Sequence, residues 1–219
     1  SLVQGKTVAM EISPDDAVPY LDRVPYGVVE LVRRLGGKVT GSGQLVTTFA
    51  SAWSVAELED HLYAAEALAT IANEALRFAV TQGDSGLTES ALQQRVIAAI
   101  HAQGLEFDHP PIVGFGPNAA NPHYEPVPGR DRRLGHDEVV LLDLWGGRRL
   151  GTVFADQTWM GFSGSVVPPK VQEVWRTVRD ARDAAIAVVL RKAGKEPLRG
   201  FEGDVAARGV IEAAGYGAY

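Results

Sequence analysis

An aspartate inside an otherwise apolar strand is the feature that most constrains this sequence. Residues 138–145 read Glu-Val-Val-Leu-Leu-Asp-Leu-Trp, a run of β-branched and leucine side chains that predicts a largely buried strand. Asp143 stands in the apolar part of that run. An ionised carboxylate among apolar side chains is costly unless it is paired, hydrogen-bonded or bound to a cation. We therefore expect a specific partner for Asp143.

A second acid, Asp156, lies in the next predicted strand, residues 152–162. A Gly-Gly-Arg-Arg turn at residues 146–149 separates the two strands, which favours an antiparallel hairpin. Pairing across this hairpin would bring Asp143 and Asp156 side by side, where like charges destabilise a sheet. A divalent cation between them removes the repulsion, and oxygen ligands suit hard ions. The alternative is two acids near strand ends that point to solvent or pair with the arginines of the turn.

The remaining pattern predicts an α/β chain. Residues 7–12 and 38–40 are typical of strands and flank an amphipathic helix at 26–35, a piece too small to bury a core alone. Start and stop signals predict four helices after this piece. The first two run from the Ser54/Glu57 capping box to Thr81 and from the Thr88 cap to Gly104. The last two run from Pro168-Pro169 to Gly194 and from the Asp204 cap to Ala214.

Composition narrows the chemistry. The 219 residues contain no cysteine, which excludes a thiol nucleophile, a thiolate metal site and disulfides, and a reducing cytoplasm fits. The net charge of -6 argues against nucleic acid or an anionic membrane as the main partner. Apolar runs stay well below the roughly 20 residues of a membrane span. A Gly-x-Ser-x-Gly elbow is absent from the sequence, so a serine hydrolase is not indicated.

The loop at residues 118–129 is rich in turn formers and contains His123 and Tyr124. Taken alone, a histidine in a proline-rich loop is most often a surface or hydrogen-bonded residue. The loop matters because of the two acidic strands that follow it in the chain.

In this order, the motifs resemble those of the pita-bread metallohydrolase family, which includes aminopeptidase P, prolidase, methionine aminopeptidase and creatinase. Residues 121–126, Asn-Pro-His-Tyr-Glu-Pro, resemble its substrate-loop His motif, 140–144 its first metal-ligand strand, and 155–158 its second, an Asp-x-Thr. The resemblance implies the N-terminal part of a pita-bread catalytic domain over residues 51–219. Residues 1–50 would be the end of a creatinase/prolidase-type N-terminal α/β domain.

By that resemblance, Asp143 would chelate one metal and Asp156 would bridge two. His123 would be catalytic, with a hydrogen bond to the substrate or the tetrahedral intermediate near the scissile amide, and His123 and Tyr124 would bind substrate. The cofactors implied for the full-length protein are two divalent ions (Mn, Co, Zn or Fe), which would activate a hydroxide and polarise the scissile carbonyl. The implied enzyme is an Xaa-Pro aminopeptidase or dipeptidase that removes the N-terminal residue of short peptides. Relatives are commonly homodimers, and we expect a cytoplasmic one here.

Two departures from the family pattern matter. The first is that Asp143 and Asp156 are separated by 13 positions, slightly more than we expect for the family, which indicates a longer hairpin turn. The second leaves alternatives open. Trp145 and Trp159 stand where the peptidases more often have Gly and Arg, so a relative acting on a small molecule, such as a creatinase-like C–N hydrolase or lyase, is the first alternative. The second is a non-catalytic fragment or binding module that keeps the fold. The family's other ligands, one His and two Glu, would follow Tyr219, so we expect the chain to be part of a longer protein and inactive alone.

Overall fold

The structure, a computed structural model, describes residues 1–16, 19–82 and 86–218. Within them the chain forms two separate sheets and a set of α-helices. No helix in this described part combines the length and the apolar character that a bilayer span requires.

The first sheet is a parallel pair near the N-terminus. Strand β1 (Thr7–Met10) pairs with β2 (Lys38–Gly41), and helix α1 (Tyr26–Arg34) connects them and packs on β2. The predicted strand at residues 7–12 is too long, because the Ile12 N–H turns back to the Met10 carbonyl at 2.8 Å. Short 3-10 turns cover Pro14–Asp16 and Pro19–Leu21, and an unpredicted helix, α2, covers Gly43–Ala50.

Two helices follow as their caps predict. Helix α3 (Val55–Thr81) begins with the expected capping box, in which Ser54 Oγ accepts from Glu57 N at 3.2 Å and Glu57 Oε2 accepts from Ser54 N at 2.7 Å. Helix α4 (Glu89–Ala102) begins where Thr88 Oγ1 accepts from Ala91 N at 3.2 Å. Of the loop between α3 and α4, residues 83–85 lie outside the described part of the chain.

The second sheet is antiparallel throughout, in the order β3-β4-β5. Its strands are β3 (Ile112–Phe115), β4 (Val139–Gly146) and β5 (Ala155–Phe162). The predicted hairpin is confirmed, and its connection, residues 147–154, is longer than the turn at 146–149, as the separation of the two acids indicates. The predicted start of the second strand at residue 152 is wrong, because β5 begins at Ala155. The backbone of Gly147 pairs with Glu106, whose N–H donates to the Gly147 carbonyl at 2.8 Å while the Gly147 N–H donates to the Glu106 carbonyl at 3.0 Å. The chain therefore stays extended at Gly147 and turns only after it.

One face of this sheet builds the core. The side chains of Val140, Leu142 and Leu144 on β4 are fully buried and form one cluster with residues of α3 and α4 such as Leu68 and Leu92. Because side chains alternate across a strand, the odd-numbered residues of β4, Asp143 among them, face away from this core.

Two helices after the sheet pack on each other. Helix α5 (Pro169–Lys192) begins with the predicted proline, and α6 (Gly200–Ala213) contacts it along its length. The predicted start of the last helix at Asp204 is wrong. The helix begins earlier because Glu202 Oε2 caps the Arg199 N–H at 2.8 Å, which leaves Asp204 exposed inside the helix.

Candidate metal centre

The register of β4 and β5 places the two acids on one face of the sheet. Asp143 lies opposite Thr158, and Asp156 lies opposite Trp145. Residues two apart on a strand share a face, so all four side chains project to the side away from the core. The expected common face on adjacent antiparallel strands is confirmed. The acids are diagonal neighbours, however, and not directly opposite each other.

This offset leaves room between the two carboxylates. Diagonal residues of an antiparallel pair lie roughly 7–8 Å apart, less at Cβ, within reach of side chains that lean towards each other. We call this surface, defined by Asp143, Trp145, Asp156 and Thr158, the acid face.

The acid face carries uncompensated negative charge. Asp143 is half-buried, and its Oδ1 accepts from Thr158 Oγ1 at 2.6 Å. Asp156 is exposed as a residue, yet partial burial of its carboxyl group, followed by the charge of Asp143, raises its pKa above the ordinary value. Within the described residues its carboxylate accepts no hydrogen bond. An acid held in this state is stabilised by any cation that reaches both carboxylates.

The turn arginines do not supply that cation. Arg148 pairs with Asp60 at 3.3 Å and stacks over the ring of Tyr63 at 4.2 Å. The charge of Arg149 acts instead on Glu57. Among the ion pairs of the described residues, none includes Asp143 or Asp156, which removes the alternative that the two acids serve as salt-bridge partners of the turn.

The two carboxylates fit part of a metal site. Paired carboxylate oxygens suit a hard divalent ion, and such an ion would offset both the burial and the charge of Asp143 that raise the pKa of Asp156. They do not complete a site: over residues 1–16, 19–82 and 86–218, no group of three or more His, Asp or Glu side chains is arranged to hold a metal.

The two unusual tryptophans lie on opposite faces. Trp145 shares the acid face, and its Nε1 donates to Asp108 Oδ1 at 2.8 Å, a bond that lowers the pKa of Asp108. Trp159 packs against the core, with its Nε1 donating to Gln157 Oε1 at 2.9 Å. Only Trp145 is therefore placed to affect what approaches the two acids.

The chain after β3 folds back on the side of the sheet that carries the acid face, next to Gly114. Gly114 pairs with Leu141 and so faces the same side as Asp143. A Cβ at Gly114 would lie 2.9 Å from the Asn118 carbonyl oxygen, which shows that the 3-10 helix Gly116–Ala120 covers this spot. The start of the loop that contains His123 therefore lies on the same side of the sheet as the two acids, and its return over them stays a prediction. The closeness of the His123 imidazole to the acids stays a prediction.

His123 and Tyr124 differ in how they are held. His123 is exposed, and only its backbone N–H is fixed, by donation to Asn121 Oδ1 at 3.0 Å. Tyr124 is half-buried and donates its hydroxyl to Glu89 Oε2 at 2.7 Å. Burial, then that hydrogen bond and the charge of Glu89, raise the pKa of Tyr124 to about 12. The hydroxyl of Tyr124 serves the fold, so substrate contact by Tyr124 stays a prediction for the rest of its side chain.

Glu89 is the residue that sequence reasoning missed. It is fully buried at the first position of α4. The one signal in the sequence was its position. Glu89 lies on the same helix face as Leu92, Val96 and Ile100, where the helical period predicts an apolar residue and not an acid.

Comparison with known proteins matches this geometry to a family. The model of metallopeptidase family M24 matches residues 63–219. An uncharacterized peptidase of Schizosaccharomyces pombe is 34% identical over 135 residues, 61% of this chain and 28% of that protein. The dipeptidase PepE of Mycobacterium ulcerans is 24% identical with a TM-score of 0.68, over 98% of this chain and 51% of that one.

An X-Pro aminopeptidase of Thermotoga maritima superposes with a TM-score of 0.63 at 23% identity, over 98% of this chain and 55% of that one. The chain therefore spans about half the length of these solved structures and less of the fission-yeast relative. These likenesses confirm the pita-bread fold implied by the motifs, and the chain belongs to metallopeptidase family M24.

Proposed function

We propose that this chain carries two metal-binding carboxylates of a metal-dependent exopeptidase that removes the N-terminal residue of short peptides, as Xaa-Pro aminopeptidases and dipeptidases do. The observation that carries the proposal is the Asp143/Asp156 pair, which shares one face, lacks a cationic partner among the described residues and has the pKa of Asp156 raised. Membership of the metallopeptidase family supports it.

In this proposal, Asp143 and Asp156 hold divalent ions, with Thr158 fixing the orientation of the Asp143 carboxylate. Two such ions, when bound, supply the Lewis-acid chemistry of amide hydrolysis. His123 donates a hydrogen bond to the substrate near the scissile amide. Since no group of three or more His, Asp or Glu side chains among the described residues is arranged to hold a metal, we propose that one His and two Glu complete the ligand set.

The wider assignments are part of the same proposal. Residues 1–50, with their own parallel sheet, form the end of an N-terminal domain, and residues 51–219 form the first part of the catalytic domain. The metal is Mn, Co, Zn or Fe. The whole protein is a cytoplasmic homodimer whose substrate is a short peptide, and neither nucleic acid nor a membrane is a partner.

A second candidate function rests on Trp145. Its indole shares the acid face with Asp156 and is held by Asp108. A bulky ring at this point narrows the approach to the acids, which suits a small molecule with a C–N bond better than a longer peptide. A creatinase-like activity is therefore the alternative within the same fold.

Hydrolysis by matched variants tests the proposal. The wild-type gene-length protein, Asp143→Asn, Asp156→Asn and the control Asp183→Asn are assayed with Mn or Co on Xaa-Pro dipeptides, longer peptides and creatine. Asp183 is exposed on α5 and pairs with Arg182, so its substitution removes an acidic charge that is not part of the acid face. We expect both acid-face variants to lose more than about 100-fold in kcat/KM, beyond the effect of outer-shell changes.

The control should retain wild-type activity, and the 219-residue chain alone should bind Mn weakly and hydrolyse nothing. Full activity in either acid-face variant would refute the ligand assignment. Turnover of creatine but no peptide would select the small-molecule alternative, and inactivity of the gene-length protein on every substrate would select a non-catalytic role.

A further inference from the structure

Glu89 is a fully buried carboxylate that the proposed chemistry does not use. Four donor groups converge on it: Phe115 N at 2.7 Å, Asn118 Nδ2 at 3.0 and 3.2 Å, the Tyr124 hydroxyl at 2.7 Å and Arg132 N at 2.8 Å. A carboxylate out of water requires such compensation. Each donor lies between 26 and 43 residues away in the chain, so the compensation is tertiary.

The donors are distributed along one continuous loop. Phe115 ends β3 just before it, Asn118 lies in its 3-10 helix, Tyr124 is in its middle, and Arg132 follows its end. We call residues 116–131 the His123 loop, since His123 directly precedes the bonded Tyr124. A single side chain therefore holds this loop at its start, middle and end.

The far end of the loop is fixed to the same helix turn by further bonds. The Glu89 N–H donates to the Arg132 carbonyl at 3.1 Å, so the two residues are joined through both backbone and side chain. The Ser90 N–H donates to Asp131 Oδ2 at 2.7 Å. The first turn of α4, itself packed in the core through Leu92, is thus a rigid anchor for the loop.

We propose that Glu89 is a positioning residue for His123, and that its carboxylate fixes the His123 loop over the acid face. The inference rests on the proposed function, because His123 contacts substrate only in that function. His123 has no side-chain bond of its own among the described residues, so the loop backbone sets its place. Misplacement of a substrate-contacting group by about 1 Å can cost as much as 100-fold in rate.

The substitution Glu89→Gln tests this with little change of shape. An amide offers an acceptor at one end only, so it cannot accept from the donors on both carboxylate oxygens. We expect faster amide exchange at residues 121–131 with α3 still protected. We also expect the Tyr124 ring resonance to titrate below the wild-type value of about 12, because the negative charge of Glu89 is gone.

In the gene-length protein, Glu89→Gln should lower kcat/KM on peptides about tenfold or more, while its Mn affinity stays at the wild-type value. Leu92→Ala is the matched control, because it destabilises α4 through a buried side chain that lacks hydrogen bonds to the loop. At equal loss of stability, this control should keep its loop protection, its Tyr124 pKa and most of its activity. His123→Ala gives the loss expected when the histidine itself is removed.

Unchanged loop exchange and an unchanged Tyr124 pKa in Glu89→Gln would overturn the inference. Equal losses of activity in Glu89→Gln and Leu92→Ala at equal stability would reduce Glu89 to a structural role and overturn it as well. A wild-type gene-length protein that hydrolyses nothing would refute the proposed function instead, and the catalytic part of this inference with it. The exchange and titration results then decide separately whether Glu89 holds the loop.

Discussion

Glu89 and Asp156 are two carboxylates at opposite edges of the β3-β4-β5 sheet, and they differ in burial and in the number of hydrogen bonds that they accept. Glu89 is fully buried and accepts from four donor groups, one of them the backbone N–H of Phe115 on β3. Asp156, on β5, is exposed and accepts no hydrogen bond within the described residues. Its diagonal neighbour on β4 is a second acid, Asp143.

The difference separates two uses of an acid. A carboxylate saturated with protein donors has no lone pair free for a ligand and holds structure in place. Two neighbouring carboxylates with few hydrogen-bond donors repel each other, and an added cation stabilises such a pair most. This difference is why we propose Asp143 and Asp156, and not Glu89, as metal ligands.

The largest expected effect is loss of stability on Glu89→Ala. This change leaves four buried or half-buried donors without their acceptor, which should lower the free energy of unfolding by about 3–5 kcal/mol. Urea unfolding followed by circular dichroism measures it. The control is Glu74→Ala on the exposed side of α3, which should change stability by no more than about 0.5 kcal/mol. An equal loss of unfolding free energy in the two variants would show that Glu89 does not stabilise the fold.

The next effect concerns the hydroxyl that orients Asp143. Thr158→Val removes the 2.6 Å hydrogen bond to Asp143 Oδ1 and keeps the shape of the side chain. We expect Mn affinity of the gene-length protein to fall about 10–100-fold, the range seen for groups that orient metal ligands. Calorimetric titration measures this, with Thr177→Val on α5 as the matched control. Unaltered affinity in Thr158→Val would mean that Asp143 does not bind the ion.

A smaller effect follows from the pKa of Tyr124. Its folded value of about 12 lies above the ordinary 10, so protonated Tyr124 stabilises the fold fully below about pH 10. That contribution is lost as the pH rises through 12. Tyr124→Phe lacks it and should be less stable than the wild type by roughly 1 kcal/mol at pH 8. The gap should narrow between pH 10 and 12, and a gap that stays constant to pH 12 would contradict the hydrogen bond to Glu89.

The smallest effect is expected at Asp156 in the metal-free protein. Its pKa is raised, so the ionised form is disfavoured in the fold at neutral pH. Asp156→Ala should therefore leave stability unchanged or increase it by no more than about 0.5 kcal/mol in the presence of a chelator. A clear loss of stability would show that Asp156 has a protein partner and is not free for a metal.

The sequence predicts the features that depend on local signals. The capping residues Ser54 and Thr88, the β4–β5 hairpin and the common face of Asp143 and Asp156 all follow from patterns within a few residues, and the structure contains each of them. Helix α2 is an exception, because its Gly, Val and Thr residues have weak helical propensity.

Features that depend on distant contacts are not predictable in this way. The diagonal offset of the two acids depends on register, and the hairpin connection is lengthened because Gly147 pairs with Glu106, far from it in the chain. The role of Glu89 depends on donors from another loop, and its only local trace is an acid on an apolar stripe. That Trp145 shares the acid face while Trp159 does not likewise follows from the register.

Locating the metal shows whether Asp143 and Asp156 are its ligands. Crystals of the gene-length protein grown with Mn, and measured at the Mn absorption edge, give an anomalous map that shows each ion independently of any assumed ligand. We expect a peak on the acid face, within about 2.0–2.6 Å of oxygens from both Asp143 and Asp156. Mn bound elsewhere, with both carboxylates occupied by protein donors or by solvent alone, would contradict it.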